Sequence, residues 1–262
     1  MLRLGTNFCG YVVNNIKCQN DGDICQLFIC KELIEKKSSF FKNAIYVDIG
    51  AHIGGWISMI NHLRLNKEEI HCYEPSKNYF ENLKQNCINF PNTKLFNYGI
   101  GEEGQVTLIK TSGGGYIQKH EENTENKDTE IIEIKKLIFN EQVYIMKIDV
   151  DGYEQKLLPT LYNYLYLIHS LICEFTIFEY STIREECIKT SCNILTKMFA
   201  SYPFVYGLSR NRAPFCVLIN NNDILEWSEE HYDNKVSTDL LFTHHKIKTI
   251  TTVNYAKGLW YA

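Results

Sequence analysis

The chain has 262 residues, 45% of them hydrophobic and 22% charged, the size and balance of a soluble globular protein with room for one large core. A net charge of −4 and a pI near 6.1 lack the basic footprint that nucleic acid requires. The ten cysteines form no CxxC and residues 1–10 carry no signal-peptide pattern, so neither a zinc site nor a disulfide framework is indicated and we expect a reducing, cytoplasmic setting.

In chain order, residues 20–42 read as an amino-terminal helix, with Ile24, Leu27, Phe28, Leu33 and Ile34 on one face, packing across one edge of a sheet. The stretch 45–55, IYVDIGAHIGG, follows. Its apolar run meets an acid at Asp48 and opens into Gly50, Gly54 and Gly55 before a helix at 54–65, as when a buried parallel strand turns sharply under a ligand. Glycine lets the backbone approach that ligand, and the helix start offers free N–H groups and partial positive charge. A second acid, Glu74, ends the strand-like run Ile70-His71-Cys72-Tyr73, where an acid can take both hydroxyls of a ribose. The pair points to a nucleoside-bearing cofactor. Because Gly50-Ala51-His52-Ile53-Gly54-Gly55 lacks the second glycine of G-x-G-x-x-G and has an acid two residues ahead, it favours S-adenosylmethionine (SAM) over NAD.

Pro75-Ser76 starts a helix through Asn86 with Tyr79, Phe80 and Leu83 as its stripe, and 93–98 is a third strand. Strands are expected at 106–110 and 130–134, and the Gly-rich, then polar, segment between them reads as a solvated hairpin loop or as a mobile lid. Residues 143–149 resume the parallel sheet, 152–164 form its helix, 170–175 the fifth strand and 181–200 a long helix. The apolar stretch 157–180 is broken by Asn163, His169, Glu174 and Glu179 and is no membrane span. An antiparallel pair at 204–208 and 215–219, turning at Asn211-Arg212-Ala213-Pro214, closes the sheet. This alternation gives an α/β three-layer sandwich. We expect a single domain, with a helical segment at 1–43, a core at 44–220, and a helix with a carboxyl-terminal extension at 221–262.

VDIGAHIGG at 47–55, YEP at 73–75, NYGIGEEG at 97–104 and KIDVDGYE at 147–154 occur in the order found in FkbM-type SAM-dependent methyltransferases, which the chain resembles over 44–219. The resemblance implies a Rossmann-like, mostly parallel seven-stranded SAM-methyltransferase sheet with an antiparallel last strand. It also implies methyl transfer to an oxygen, often a sugar or secondary-metabolite hydroxyl. Position 52 is His where the pattern usually has Asn, and position 151 is Asp where it usually has Glu.

The candidate cofactor residues are Asp48, Gly50, Ala51, His52, Gly54, Glu74, Pro75, Asn97 and Tyr98. Asp48 either caps the Gly-rich turn or reaches the methionine amine of SAM, and Glu74 either caps the helix begun by Pro75 or holds ribose. His52 is a cofactor contact or an ordinary loop residue. Asn97 and Tyr98 end the third strand, where adenine should lie or an aromatic should pack. A second constellation joins Lys147, Asp149, Asp151 and Glu154 to Glu174 at the end of the adjacent strand. Converging carboxylates repel unless a proton, a cation or Lys147 offsets them, which marks a functional site or an ion-pair network.

The candidate catalytic residues are Asp149, Asp151 and Glu174. An alcohol is a poor acid, so either a carboxylate of raised pKa takes its proton or Mg²⁺ on Asp149 and Glu174 acidifies it. The expected acceptor is a small molecule or glycan, toward which Tyr116, Lys119 and His120 offer an aromatic face and polar groups. Asp149-Val150-Asp151 also fits the D-x-D of a metal-dependent glycosyltransferase, a reading that leaves the Gly50 turn and Glu74 unexplained. A non-catalytic methyltransferase-like binding protein would carry a broken turn or a lost Asp149.

Overall fold

A computed structural model describes residues 11–13, 16–18, 21–63, 68–111, 114–118, 129–138, 140–178, 181–208 and 215–256. A short antiparallel pair, β1 (Tyr11–Val13) and β2 (Ile16–Cys18), precedes helix α1 (Asp21–Glu35). Then come β3 (Ile45–Ile49), α2 (Gly55–His62), β4 (Ile70–Tyr73), α3 (Lys77–Asn86) and β5 (Thr93–Phe96). Four strands follow, β6 (Gly99–Ile100), β7 (Gly104–Thr111), β8 (Gly114–Gln118) and β9 (Thr129–Lys135). The second half runs through β10 (Val143–Ile148), α4 (Glu154–Thr160), β11 (Ile168–Phe175), α5 (Arg184–Ser201), β12 (Phe204–Leu208), β13 (Phe215–Ile219), α6 (Ile224–Asp233), β14 (Thr238–Thr243) and β15 (Thr251–Asn254).

The central sheet has nine strands in the order β15-β13-β12-β14-β11-β10-β3-β4-β5. From β11 to β5 every pairing is parallel, as the apolar runs of β3, β10 and β11 require when helices cover both faces. One face packs Val47, Met146, Leu171 and Phe242 under α4, α5 and α6, with Trp227 fully buried. The other packs Tyr46, Ile145, Ile172 and Leu241 under α1, α2 and α3. These are the two outer layers of the expected sandwich.

Several expectations are corrected by this architecture. The sheet exceeds seven strands and has three that run against the rest, β13, β14 and β15; β14 lies between β11 and β12 and pairs antiparallel with both. The pair β12–β13 forms as read from the sequence but does not close the sheet, because β15 continues it beyond β13. Residues 221–262 are therefore more than a helix with an extension, since they supply α6, β14 and β15. The amino-terminal segment includes the β1–β2 hairpin, and α1 stops at Glu35, where Ser38 turns extended and starts a separate 3-10 turn at Ser39–Phe41. It lies on a face of the sheet rather than at an edge, with Leu33 O accepting the Tyr144 hydroxyl at 2.5 Å. Helix α4 spans less than 152–164, giving way to a 3-10 turn at Tyr162–Leu167.

A second, four-stranded sheet has the order β6-β9-β7-β8 and buries Leu108, Ile132 and Ile134 on one side. Part of the expected loop at 111–130 is thus strand β8; residues 119–128, with Lys119 and His120, and the turn at 211–214 lie outside the described residues. Cys72, Cys173 and Cys216 are free and buried, as small apolar side chains would be. No helix among the described residues is long and apolar enough to cross a membrane.

Glu32 of α1 ties down the segment between β14 and β15. Its carboxylate accepts His245 Nε2 at 2.9 Å, Lys248 N–H at 2.9 Å, Thr249 N–H at 2.7 Å and the Thr249 hydroxyl. Burial opposes its charge, but these donors outweigh it and hold the carboxyl down at about 2.

Candidate functional site

The turn after β3 is fixed by its neighbours. Gly50 has φ +79°, and a Cβ built on it would lie 1.8 Å from the carbonyl oxygen of Asp149. The glycine is thus demanded by the backbone that follows β10, a nearer cause than approach to a ligand. Gly50 and Ala51 donate their N–H groups to Tyr73 O at 2.9 and 3.0 Å, which locks the turn onto β4. Gly54, at φ +91°, packs on Leu83 and Ile57, whereas a Cβ on Gly55 would meet nothing within 4 Å among the described residues. Open space therefore begins at the first residue of α2.

Two acids stand beneath this turn. Asp48 is fully buried, and among the described residues neither of its carboxylate oxygens has a hydrogen-bond partner, so it does not cap the turn. Burial pushes it up to about 6, against the pull of Lys147, its register partner on β10. An orphaned buried carboxylate costs stability and fits a site that receives a cationic donor, such as an amine. Glu74 is 5% exposed; it accepts Ser76 N–H and His52 N–H, both at 2.8 Å. Burial raises it to about 7 despite those donors. The helix-capping role of Glu74 is therefore real, and it braces His52, whose backbone adopts φ +49° and whose ring meets Tyr79 edge-on at 4.1 Å. Pro75 leads into α3, and Asn97 donates to Glu74 O and Pro75 O at 2.9 and 3.1 Å. Tyr98 packs among Tyr73 and Phe96 with the Lys135 ammonium 4.6 Å over its ring.

At the ends of β10 and β11, Asp149, Asp151 and Glu174 each bring a carboxylate oxygen to within 4.8 Å of the others. Lys147 donates to Asp149 Oδ2 at 2.8 Å. Burial opposes its charge, yet Asp149, Asp48 and Asp239 hold its ammonium above the usual lysine range. The constellation read from the sequence is therefore assembled with one exception. Glu154 is buried under the turn, accepting Val150 and Gly152 N–H at 3.1 and 3.2 Å, and burial raises it to about 8. It shapes the loop in which Asp151 takes φ +47°.

Two neighbours were missed. Asp239, on β14, stands opposite Glu174 in register and accepts the Gln26 amide at 3.3 Å. An antiparallel strand begins where its parallel neighbours end, so an acid just ahead of the Leu240-Leu241-Phe242 run was the available signal. Glu130, on β9, contacts Ser76 and Lys77, and nothing in its local sequence announces this.

Three comparisons bear on this geometry. No curated protein matches the sequence. Among solved structures, a candidate RNA methyltransferase from Pyrococcus horikoshii is 14% identical with a TM-score of 0.38, over 66% of this chain and 64% of that one, so the chain spans less than two thirds of it. A SAM-dependent O-methyltransferase from Thermotoga maritima is 11% identical with a TM-score of 0.38, over 84% and 65% of the two chains. The amino-terminal domain of human METTL16 in complex with SAH is 10% identical with a TM-score of 0.40, over 87% and 71%. The sequence profile of the methyltransferase FkbM domain matches residues 48–187, which runs from Asp48 past Glu174 and covers more than half of the chain. The chain belongs to the FkbM methyltransferase family.

Proposed function

We propose that the protein transfers a methyl group from SAM to a hydroxyl oxygen, with a sugar hydroxyl of a glycan or glycoconjugate as the acceptor. The contact between Gly50 and the Asp149 carbonyl carries this reading, because it joins the cofactor turn and the carboxylate group into one site. Asp48, whose two buried oxygens have no hydrogen-bond partner among the described residues, suits the methionine amine. Gly55 borders the open space, and Glu74 retains lone pairs for ribose hydroxyls beyond the two N–H groups it accepts. SAM supplies, when bound, a methyl carbon already activated by sulfonium. The chain must hold the acceptor hydroxyl in line with that carbon and take its proton. Asp149, ion-paired with Lys147 at 2.8 Å, is suited to accept the hydroxyl's hydrogen bond and fix its direction. Asp151 and Glu174 would complete a carboxylate group that takes the proton or holds Mg²⁺, for which oxygen ligands are the fitting set. Membership of a methyltransferase family leaves the glycosyltransferase reading of Asp149-Val150-Asp151 without support.

Asp149→Asn nearly preserves shape and removes the charge, so turnover should fall by at least about a hundredfold while S-adenosylhomocysteine affinity changes little. Turnover within a few-fold of the parent protein rejects the role. Mass spectrometry of a saccharide panel incubated with SAM, with and without chelator, tests the acceptor class and the cation together. Methylation of protein or RNA with no saccharide product overturns the acceptor.

A further inference from the structure

Helix α3 begins beside the cofactor turn, and its first donors are shared between two carboxylates. Glu74 takes Ser76 N–H at 2.8 Å. Glu130, 53 residues beyond Lys77, takes Lys77 N–H at 2.8 Å with Oε1 and the Ser76 hydroxyl at 3.0 Å with Oε2. Ser76 is fully buried, so its hydroxyl needs a partner inside the protein, and it uses Glu130 instead of capping its own helix. The partial positive charge of the helix start holds both anions near each other.

Glu130 is presented by a braced element. It stands opposite Leu108 of β7, and Ile132 and Ile134 of the same strand are buried with that leucine. The groups around Glu74 are Asp48 of β3, His52 of the turn, and Glu130 of β9, while Tyr79 of α3 packs on the His52 ring. Behind burial, Asp48 and Glu130 are the charges that push the Glu74 carboxyl up.

We propose that Glu130 is a positioning residue of the cofactor site: through Ser76 and Lys77 it fixes the start of α3, and with it the placement and charge state of Glu74 against the His52 turn. The proposal rests on the reading of Glu74 as a cofactor contact. It makes the second sheet a structural part of the cofactor site, coupled to it by side-chain hydrogen bonds.

The test is calorimetric titration of the full chain with S-adenosylhomocysteine from about pH 5.5 to about pH 8.5, for the parent, Glu130→Gln and Glu130→Ala, with a melting curve for each. Gln keeps an acceptor oxygen for Lys77 N–H and removes the charge, with its amide donating to the Ser76 hydroxyl where the carboxylate accepted from it. The parent's affinity should fall as pH drops through about 7, where Glu74 takes up its proton. In Glu130→Gln that fall should move to lower pH, and Glu130→Ala should bind several-fold more weakly while still melting cooperatively. A Glu130→Gln profile superimposable on the parent's, with or without a lower melting temperature, overturns the proposal. So does Glu130→Ala binding as tightly as the parent. If Glu130→Ala does not fold, Ser76→Ala, which cuts the hydroxyl link alone, should show an intermediate loss, and parent-like affinity there overturns it as well. A parent protein that binds no S-adenosylhomocysteine at any pH removes the cofactor reading, and this inference with it.

Discussion

Gly50 and Gly55 sit in one turn and answer to different neighbours. Gly50→Ala must place a Cβ against the Asp149 carbonyl at a φ of +79°, so it should destabilise the protein by well over about 1 kcal/mol, read as a lower melting temperature or insoluble protein. Gly55→Ala meets nothing within 4 Å among the described residues and begins a helix. It should stabilise the protein by about 0.5–1 kcal/mol. If the open space there belongs to the cofactor, the same substitution should weaken S-adenosylhomocysteine binding while the melting temperature rises. Unchanged affinity by calorimetry would exclude Gly55 from the cofactor contact. The three glycines of one motif thus have separate causes, which spacing alone could not distinguish.

Among the elements, those legible in the sequence were bounded by chemistry that acts locally. Strand β3 is an apolar run stopped by a glycine turn, and α3 opens on Pro75-Ser76 with an apolar stripe that reaches Leu83 beneath Gly54. Strand β8 was hidden because Gly114-Gly115 reads as loop, yet its register with β7, from Thr107 with Gln118 to Thr111 with Gly114, overrides that propensity. Strand β14 was hidden for the opposite reason. All six residues of TDLLFT are buried, so the run shows no alternation, and only tertiary context tells a strand from a helix fragment. Asp239 escaped notice with it, whereas Asp149, Asp151 and Glu174 were found because their strands were. Phe242 is fully buried in the core cluster to which α5 and α6 contribute, with its ring 6.0 Å from that of Tyr202. Phe242→Ala should cost about 3–5 kcal/mol in chemical denaturation, a loss that a peripheral extension would not produce. A change below about 1 kcal/mol would remove β14 from the core.

Across the whole molecule, buried carboxyls set the response to pH. Asp48, Glu74 and Glu154 are raised to about 6, 7 and 8, so their protonated forms favour the folded state. That contribution is complete below the unfolded carboxyl range of about 4 and is lost as pH rises through the raised values. Glu32, lowered to about 2, acts in the opposite sense: its contribution is present above about pH 4.5 and fades as pH falls toward its folded value. The melting temperature should therefore peak near about pH 5 and decline toward about pH 9. Glu154→Gln keeps an acceptor for the Val150 and Gly152 N–H groups and loses the buried charge, so it should flatten the alkaline limb in a melting series. A parent protein equally stable from about pH 5 to about pH 9 would contradict these assignments.

The position of β14 also orders events in time. Strands β11 and β12 are synthesised well before β14, yet each waits for it as a hydrogen-bonding neighbour. Until residues 238–243 leave the ribosome, β11 carries an open, apolar edge, with Leu171, Ile172 and Cys173 paired on one side only. Such an edge is a template for wrong pairing, and the delay makes insertion of β14 the natural slow step in reaching the native sheet. A nascent chain halted before Thr238 should stay bound by chaperones or protease-sensitive, and release of the last strands should let it fold in one step.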